Sequence, residues 1–276
     1  SGQNALSTAL VFNDLTGRVV SATVTGTPTK PSAISASRRV TVLATEETTL
    51  TSVAGQVAIP ASKSAGAAAG AAGSINSLEV DVTAAIENAT VTSAGGDVTV
   101  KALTAGTINA WAVGVSGALS TGSGGGIAGS GFSFVGAGSF ATNRVIRRNL
   151  ATVRGNAAVT AKTLTVNAED SSSVFAVAGA LAAQVGSTVS LAAGVSVATN
   201  EIGTDSSRGS VRAMIDGATV TLTGGDAAVT ATAKPSITSW TIAGTGQVLL
   251  ELPLRQRCRT GPAVQLQDLR RLGGLL

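Results

Sequence analysis

The chain contains no histidine and no tyrosine, a single cysteine and a single methionine, and only 3% of its residues are aromatic. Without His the commonest general base is missing, and one Cys supports neither a disulfide framework nor a Cys/His zinc site. Charge is scarce too: Asp, Glu, Lys and Arg make up 12% of the 276 residues, against about 25% in ordinary globular domains. Disorder does not follow, because disordered chains pair low hydrophobicity with high net charge, and this one is 44% hydrophobic with a net charge of +4. A nucleic-acid surface does not follow either. Five Arg (Arg255, Arg257, Arg259, Arg270, Arg271) and two acids (Glu251, Asp268) fall after Thr245, so three of the four net positive charges belong to that tail. Elsewhere only Arg144, Arg147 and Arg148, or Arg38 and Arg39, lie close together, which makes no phosphate-binding stripe. With Ser1 first and no charged-then-apolar leader, the sequence predicts a processed chain or a piece of a longer one. The charge-free run from Ala102 to Asn143 has the length of a membrane helix, but its Gly, Ser and alternation predict strands.

What is present is a two-residue period and a long repeat. From Phe175 to Thr199 one parity carries Phe175, Val177, Leu181, Val185, Val189, Leu191, Val195 and Val197, and the other carries mostly Ala, Gly and Ser. Alternation of this kind predicts β structure, with the large parity expected as the core and the small parity as a flat face. The segment Ala85 to Thr92 returns as Met214 to Thr221, and Gly95-Gly96-Asp97 returns as Gly224-Gly225-Asp226. Gly155 to Thr160 and Val20 to Thr25 are further copies, and an Asn closes each apolar run: Asn13, Asn76, Asn143 and Asn200. These predict an array of units at 13–75, 76–142, 143–199 and 200–246, each folded into about three coils of about twenty residues, making a rod of about 55 Å. The fold class expected is all-β, a parallel β-helix or β-solenoid; the alternative is stacked antiparallel hairpins turning near Thr121 to Gly126 and Gln184 to Ser187. From Gln247 to Leu276 the chain turns Leu- and Arg-rich. Two readings compete there, a basic amphipathic tail and a shifted reading frame. The second is favoured, because CTG GAG CTG CCG CTG for Leu250 to Leu254, read two bases along, encodes Gly-Ala-Ala-Ala.

No candidate site survives comparison with a structural explanation. Glu46-Glu47 and Glu169-Asp170 are adjacent acids at strand ends, expected in solvated turns because a strand sends neighbours to opposite faces. The Gly-rich run Gly122 to Gly129 lacks the Lys-Ser/Thr of a phosphate loop, and the isolated Gly-Gly-Asp turns at Asp97 and Asp226 lack the tandem spacing of calcium β-rolls. Asn88-Ala89-Thr90 fits a glycosylation sequon. The recurring Asn are expected to stack on one another, and Trp111 and Trp240, which share a repeat position, are expected to fill core. Catalytic, cofactor-binding and metal-binding residues are therefore assigned to none.

The repeated pattern, Ala-x-Ile-x-x-Ala-x-Val-Thr, then Gly-Gly-Asp-Val-Thr-Val-x-Ala, then a charge-free segment closing on Val-Ala-x-Asn, resembles the repeat arrays of very large bacterial surface adhesins of the filamentous haemagglutinin-like or leukotoxin-type. The resemblance covers about Ala9 to Gly246 and implies a secreted or outer-membrane-anchored stalk, at the cell surface, meeting host or neighbouring cells and self-associating through its ends. No cofactor, no nucleic-acid partner and no transmembrane segment are expected from the residues themselves. A polysaccharide-processing β-helix enzyme is the alternative, for which Glu46, Glu47, Lys63 or Asp81 would converge in a groove. A membrane β-barrel is a third, with the large residues facing outward.

Overall fold

The computed structural model describes residues 4–62, 67–120, 133–186, 190–203 and 210–249. Val-, Thr- and Ala-rich alternation makes every element a strand, and four coils follow one another. The first coil holds β1 (Asn4–Thr25), β2 (Ser32–Ala36), β3 (Val40–Glu46), β4 (Thr49–Ala58) and the two-residue β5 (Ala61–Ser62). The second holds β6 (Ala67–Glu87), β7 (Ala89–Ser93), β8 (Val98–Thr104) and β9 (Thr107–Ser120). The third holds β10 (Ser133–Arg154), β11 (Ala158–Ala161), β12 (Leu164–Asp170) and β13 (Ser173–Gly186). In the fourth the long strand is split into β14 (Ser190–Ile202) and β15 (Ser210–Asp216), followed by β16 (Thr219–Leu222), β17 (Ala227–Ala233) and β18 (Ser236–Leu249).

Strands stack coil upon coil into four parallel sheets. Sheet A is β1-β6-β10-β14 with β15 also on β10; sheet B is β2-β7-β11-β16; sheet C is β3-β8-β12-β17; sheet D is β4-β9-β13-β18, with β5 also on β9. Every ladder between strands is parallel, so the chain is an all-β parallel solenoid and the antiparallel alternative falls away. The chain does reverse after Ser120 and after Gly186, yet it passes from sheet D to sheet A of the next coil instead of pairing within one sheet. One expectation is overturned here. Each repeat of about sixty residues is a single large coil, not three small ones, so four rungs span only about 14 Å along the stacking axis. β18 carries the ladder through Gln184↔Gln247, Val185↔Val248 and Gly186↔Leu249; the tail beyond lies outside the described residues.

Corners explain the repeated turn residues. Between sheets A and B, Gly26, Asn88 and Gly155 stack by backbone bonds one coil on, and Asn88 (φ 48°), Gly155 (φ 67°) and Gly217 (φ 63°) occupy the left-handed region. The sequon Asn is thus a corner residue whose Oδ1 accepts from the Asn156 amide at 3.1 Å. Between sheets B and C sit the Gly-Gly-Asp turns. A Cβ on Gly96 would run into the Arg38 carbonyl of the coil beside it, which is why the turn requires glycine.

Each coil has two parts with opposite rules. The second half of sheet A, sheets B and C, and the start of sheet D enclose a prism filled by Leu78, Val80, Val82, Ile86, Val91, Val98, Val100, Ile108, Leu164 and Val166. The first half of sheet A and the rest of sheet D form a flat two-sheet wing. Its interior holds the small residues: Ala110, Ala112, Ala141, Ala176 and Ala178 in one cluster, Ala68, Val135, Ala137, Ala180 and Ala182 in another. The large parity faces outward, the reverse of the expectation from alternation. Leu6 is 82% exposed, Leu181 49% and Trp240 60%. Close approach of the sheets is the cause: a Cβ on Gly114 would strike Gly138 O, and one on Gly194 would meet Gly244 O at 2.9 Å.

Candidate functional site

Wing and prism are divided by a ladder of asparagines. Asn13, Asn76, Asn143 and Asn200 occupy the same inward register on sheet A. Asn13 Nδ2 donates to Asn76 Oδ1 at 2.9 Å, Asn76 Nδ2 to Asn143 Oδ1 at 2.7 Å, and Asn143 Nδ2 to Asn200 Oδ1 at 2.7 Å. An amide suits this place because it donates and accepts at once, so each can bond the rung above and the rung below. Asn76 Nδ2 also donates to the Ser52 hydroxyl across the wing at 2.8 Å and to the Ser74 hydroxyl of its own strand at 3.1 Å. The expected stacking of these residues is what the structure contains.

On the prism side an ionic cluster fills the corner between sheets C and D. Strand alternation turns Glu46 and Asp170 inward while Glu47 and Glu169 point out, so one acid of each adjacent pair is buried, contrary to the expectation of solvated turns. Glu46, Thr104 and Asp170 share one register across three coils, and Arg18, Val80 and Arg147 share another on sheet A. Charge is matched coil by coil: Arg18 faces Glu46 at 3.9 Å and Arg147 faces Asp170 at 3.7 Å, while the second coil offers neutral Val80 and Thr104. Thr104 Oγ1 donates to Asn149 Oδ1 at 2.6 Å, and Asn149 Nδ2 to Glu169 O at 2.6 Å. The Arg147 side chain is only 2% exposed. Burial lowers its pKa from the ordinary arginine value, with Glu46 and then Asp170 acting in the opposite sense. Its guanidinium lies over Gly106, where a Cβ would collide with Nη2. A cavity of about 230 Å³ adjoins it, lined by Arg147, Asp170, Ile202, Gly203, Ser210, Val211, Ala233 and Pro235.

This arrangement pairs its charges, and the Asp170 carboxylate also accepts from the Ser172 amide at 3.0 Å and from the Ser172 hydroxyl. Asp81, on the outer side of sheet A, pairs with Arg148 at 2.5 Å, so it is separated by the strand from inward Glu46; Lys63 and the run Gly122 to Gly129 lie outside the described residues. Among the described residues no group of three His, Cys, Asp or Glu is placed to hold a metal, and no helix is long and apolar enough to cross a membrane. No protein family, curated protein or solved structure matches this chain.

The wing's outer faces are the other feature a partner would meet. Trp111 and Trp240 do share a repeat position, both opposite Val177, but they project outward at 41% and 60% exposure instead of filling core. With Val53 they form a column Val53-Trp111-Val177-Trp240 across sheet D, and Trp111 leans on Phe175 at 5.3 Å between ring centroids. On sheet A, Phe140 covers Gly73, and Phe134 leans toward Gly136. Between those rings runs an open groove of about 310 Å³, with Ala69, Ala71 and Gly136 among the residues lining it. Parity alone turns Arg147 inward with Val145, Asn149 and Val153, but which acids it meets depends on the register between coils.

Proposed function

We propose that this chain is a shaft segment of a secreted or surface-anchored bacterial adhesin, a stackable rod that holds other parts of its protein away from the cell. The observation that carries this reading is the in-register asparagine ladder through all four coils, which gives every coil the same amide donor toward one neighbour and the same acceptor toward the other. A coil that can accept a copy of itself on either side is a unit for building length. The outermost strands β1 and β18 each have a ladder partner on one side only among the described residues, so further coils have a template on which to add. The repeat style that resembles filamentous adhesins points the same way, and the extracellular setting and a host or neighbouring cell as its counterpart rest on that resemblance.

Tandem genes carrying one, two and four copies of residues 4–249 test this. Electron microscopy of the products is expected to show particles lengthening by about 19 Å per copy, four rungs at about 4.8 Å. Displayed between an outer-membrane anchor and a terminal tag, the longer arrays should carry the tag farther from the surface and raise adhesion of the displaying cells. Particles that stay globular as copies are added, or release of reducing sugar from polysaccharides, would defeat the shaft reading.

A further inference from the structure

We propose that the uncharged wing is a lateral assembly surface, in which the tryptophan ridge of sheet D on one copy of this chain seats in the Gly/Ala groove of sheet A on a second copy. Three observations lead there. First, the strands of the wing carry no Asp, Glu, Lys or Arg between Asn4 and Asn13, Thr49 and Ser62, Ala67 and Asn76, Thr107 and Ser120, Ser133 and Asn143, Ser173 and Gly186, Ser190 and Asn200, or Ser236 and Leu249. Charges resume at Asp14, Arg144 and Glu201, immediately past the asparagine ladder. Both outer faces are therefore free of charged side chains over the same length and end at the same line.

Second, size fits. Four strands at about 4.8 Å and about twelve residues at about 3.3 Å make the sheet D face about 19 by 40 Å, roughly 760 Å². A standard interface covers about 800 Å² per partner, and solitary apolar patches on monomers rarely exceed a few hundred. Third, the two faces differ in relief. Sheet D presents a ridge, Val53-Trp111-Val177-Trp240, with Trp111 held by Phe175. Sheet A presents a trough floored by Ala69, Ala71 and Gly136, with Phe134 on one side and Phe140 on the other. Ridge and trough run along the same axis with the same rung spacing, and the trough is deepest at the middle rungs, between Leu6 of the first coil and Val195 of the fourth, so a second copy in parallel alignment brings Trp111 against it. Because ridge and trough lie on opposite sides of one wing, the contact is head-to-tail and continues to a third copy.

A lipid bilayer is the other apolar environment that such faces suggest, and the ladder edges disfavour it. A parallel edge strand of ten residues leaves roughly ten backbone groups without partners, and hydrocarbon does not accept an open sheet edge. A second protein copy covers the faces and leaves the edges in water.

The test uses the whole chain. Sedimentation velocity over about a hundredfold range of concentration is expected to show growth beyond a dimer. Because Trp111 and Trp240 are the only tryptophans, their emission should shift to the blue as growth proceeds. The ridge variant Trp111→Thr/Trp240→Thr and the groove variant Gly138→Lys, at the position that pairs with Ala71 of the trough floor, are each expected to associate at least about tenfold more weakly, with circular dichroism unchanged, since Thr suits an outward strand position. A Cβ at Gly138 has no atom nearer than Gly70 O at 3.8 Å, so the groove variant has room to fold. Mixed in equal amounts, the two variants keep one intact ridge and one intact groove between them, and should form a complex that stops at a dimer. A monomeric wild type, association that survives both substitutions, a mixture that forms no complex, or emission that shifts only with phosphatidylcholine vesicles overturns the proposal. None of these readouts depends on whether the chain serves as an adhesin shaft.

Discussion

Replacing Asn143 with Ala removes the centre of the asparagine ladder, and the structure sets the size of the effect. The amide makes two ladder bonds at 2.7 Å, one accepted from Asn76 and one donated to Asn200, and the residue is fully buried. Two net hydrogen bonds are worth about 1 kcal/mol each, and a buried partner left short adds about 1–2 kcal/mol. Asn76 keeps the Ser52 and Ser74 hydroxyls, which holds the penalty toward the lower end. The expected loss is about 3–4 kcal/mol, read from urea unfolding followed by circular dichroism, with the slope against urea unchanged. The variant Asn143→Asp separates hydrogen bonding from shape. A carboxylate there accepts from Asn76 but cannot donate to Asn200, and burial raises its folded pKa above the unfolded value of about 3.9. A raised carboxyl pKa means that the protonated side chain is the one the fold accommodates. Stability of Asn143→Asp is therefore greatest below the unfolded pKa and falls as pH rises toward the folded pKa, while the wild type lacks this slope. Should Asn143→Ala lie within about 0.5 kcal/mol of wild type, and Asn143→Asp show no added pH dependence, the ladder contributes nothing and the reasoning fails.

Arg147→Met leaves Glu46 and Asp170 buried beside no nearby guanidinium but that of Arg18, and should cost about 3–5 kcal/mol in urea unfolding; adding Glu46→Gln and Asp170→Asn to it should recover much of that loss. Gly106→Ala is expected to act in the same direction, because its Cβ would displace the Arg147 guanidinium and approach Thr48 O at 2.8 Å. Gly96→Ala should lower the thermal midpoint by the equivalent of about 1–3 kcal/mol through its collision with Arg38 O, whereas Gly55→Ala, with open space around it and no positive φ, should be neutral or slightly stabilising. Equal effects at the two glycines would show that close coil contact is not what selects Gly96.

The β assignment, the parallel stacking and the corner turns were legible because alternation, Val-Thr strand endings and Gly-Gly-Asp recur in the sequence itself. The inversion of the wing was legible too, although alternation alone misled. Asn143 shares parity with Val135, Ala137, Ser139 and Ala141 and opposes Phe134 and Phe140, so an asparagine that stacks inside must bring the small residues inside with it. The size of the coil was not legible. A repeat of about sixty residues is compatible with one large coil or three small ones, and only the pairing of Asn13 with Asn76 across 63 residues distinguishes them. The buried Arg147 depends on the same long-range register, since its acids arrive from the first and third coils and its space from Gly106 in the second.

The two halves of the coil divide the energetics unequally. In the prism, Val, Leu and Ile are withdrawn from water, each worth about 1.5–3 kcal/mol. In the wing the interior is mostly Ala, Gly and Ser, which withdraw little, while Leu6, Leu10, Phe12, Trp240 and Ile242 stay more than half exposed. A wing selected for stability of the single chain would carry these residues inside and Thr or Ser outside, as an antiparallel sheet with one wet face does. The sheets here approach too closely for that, with Gly114 against Gly138 O, so the interior is fixed as small and the outer face is free to be anything soluble. That it is apolar and uncharged on both sides is then a property of the surface and not a requirement of the fold. The consequence is measurable: Trp111→Thr/Trp240→Thr should leave the unfolding midpoint of the isolated chain close to wild type at high dilution, and separate from it as concentration rises and only the wild type gains contacts.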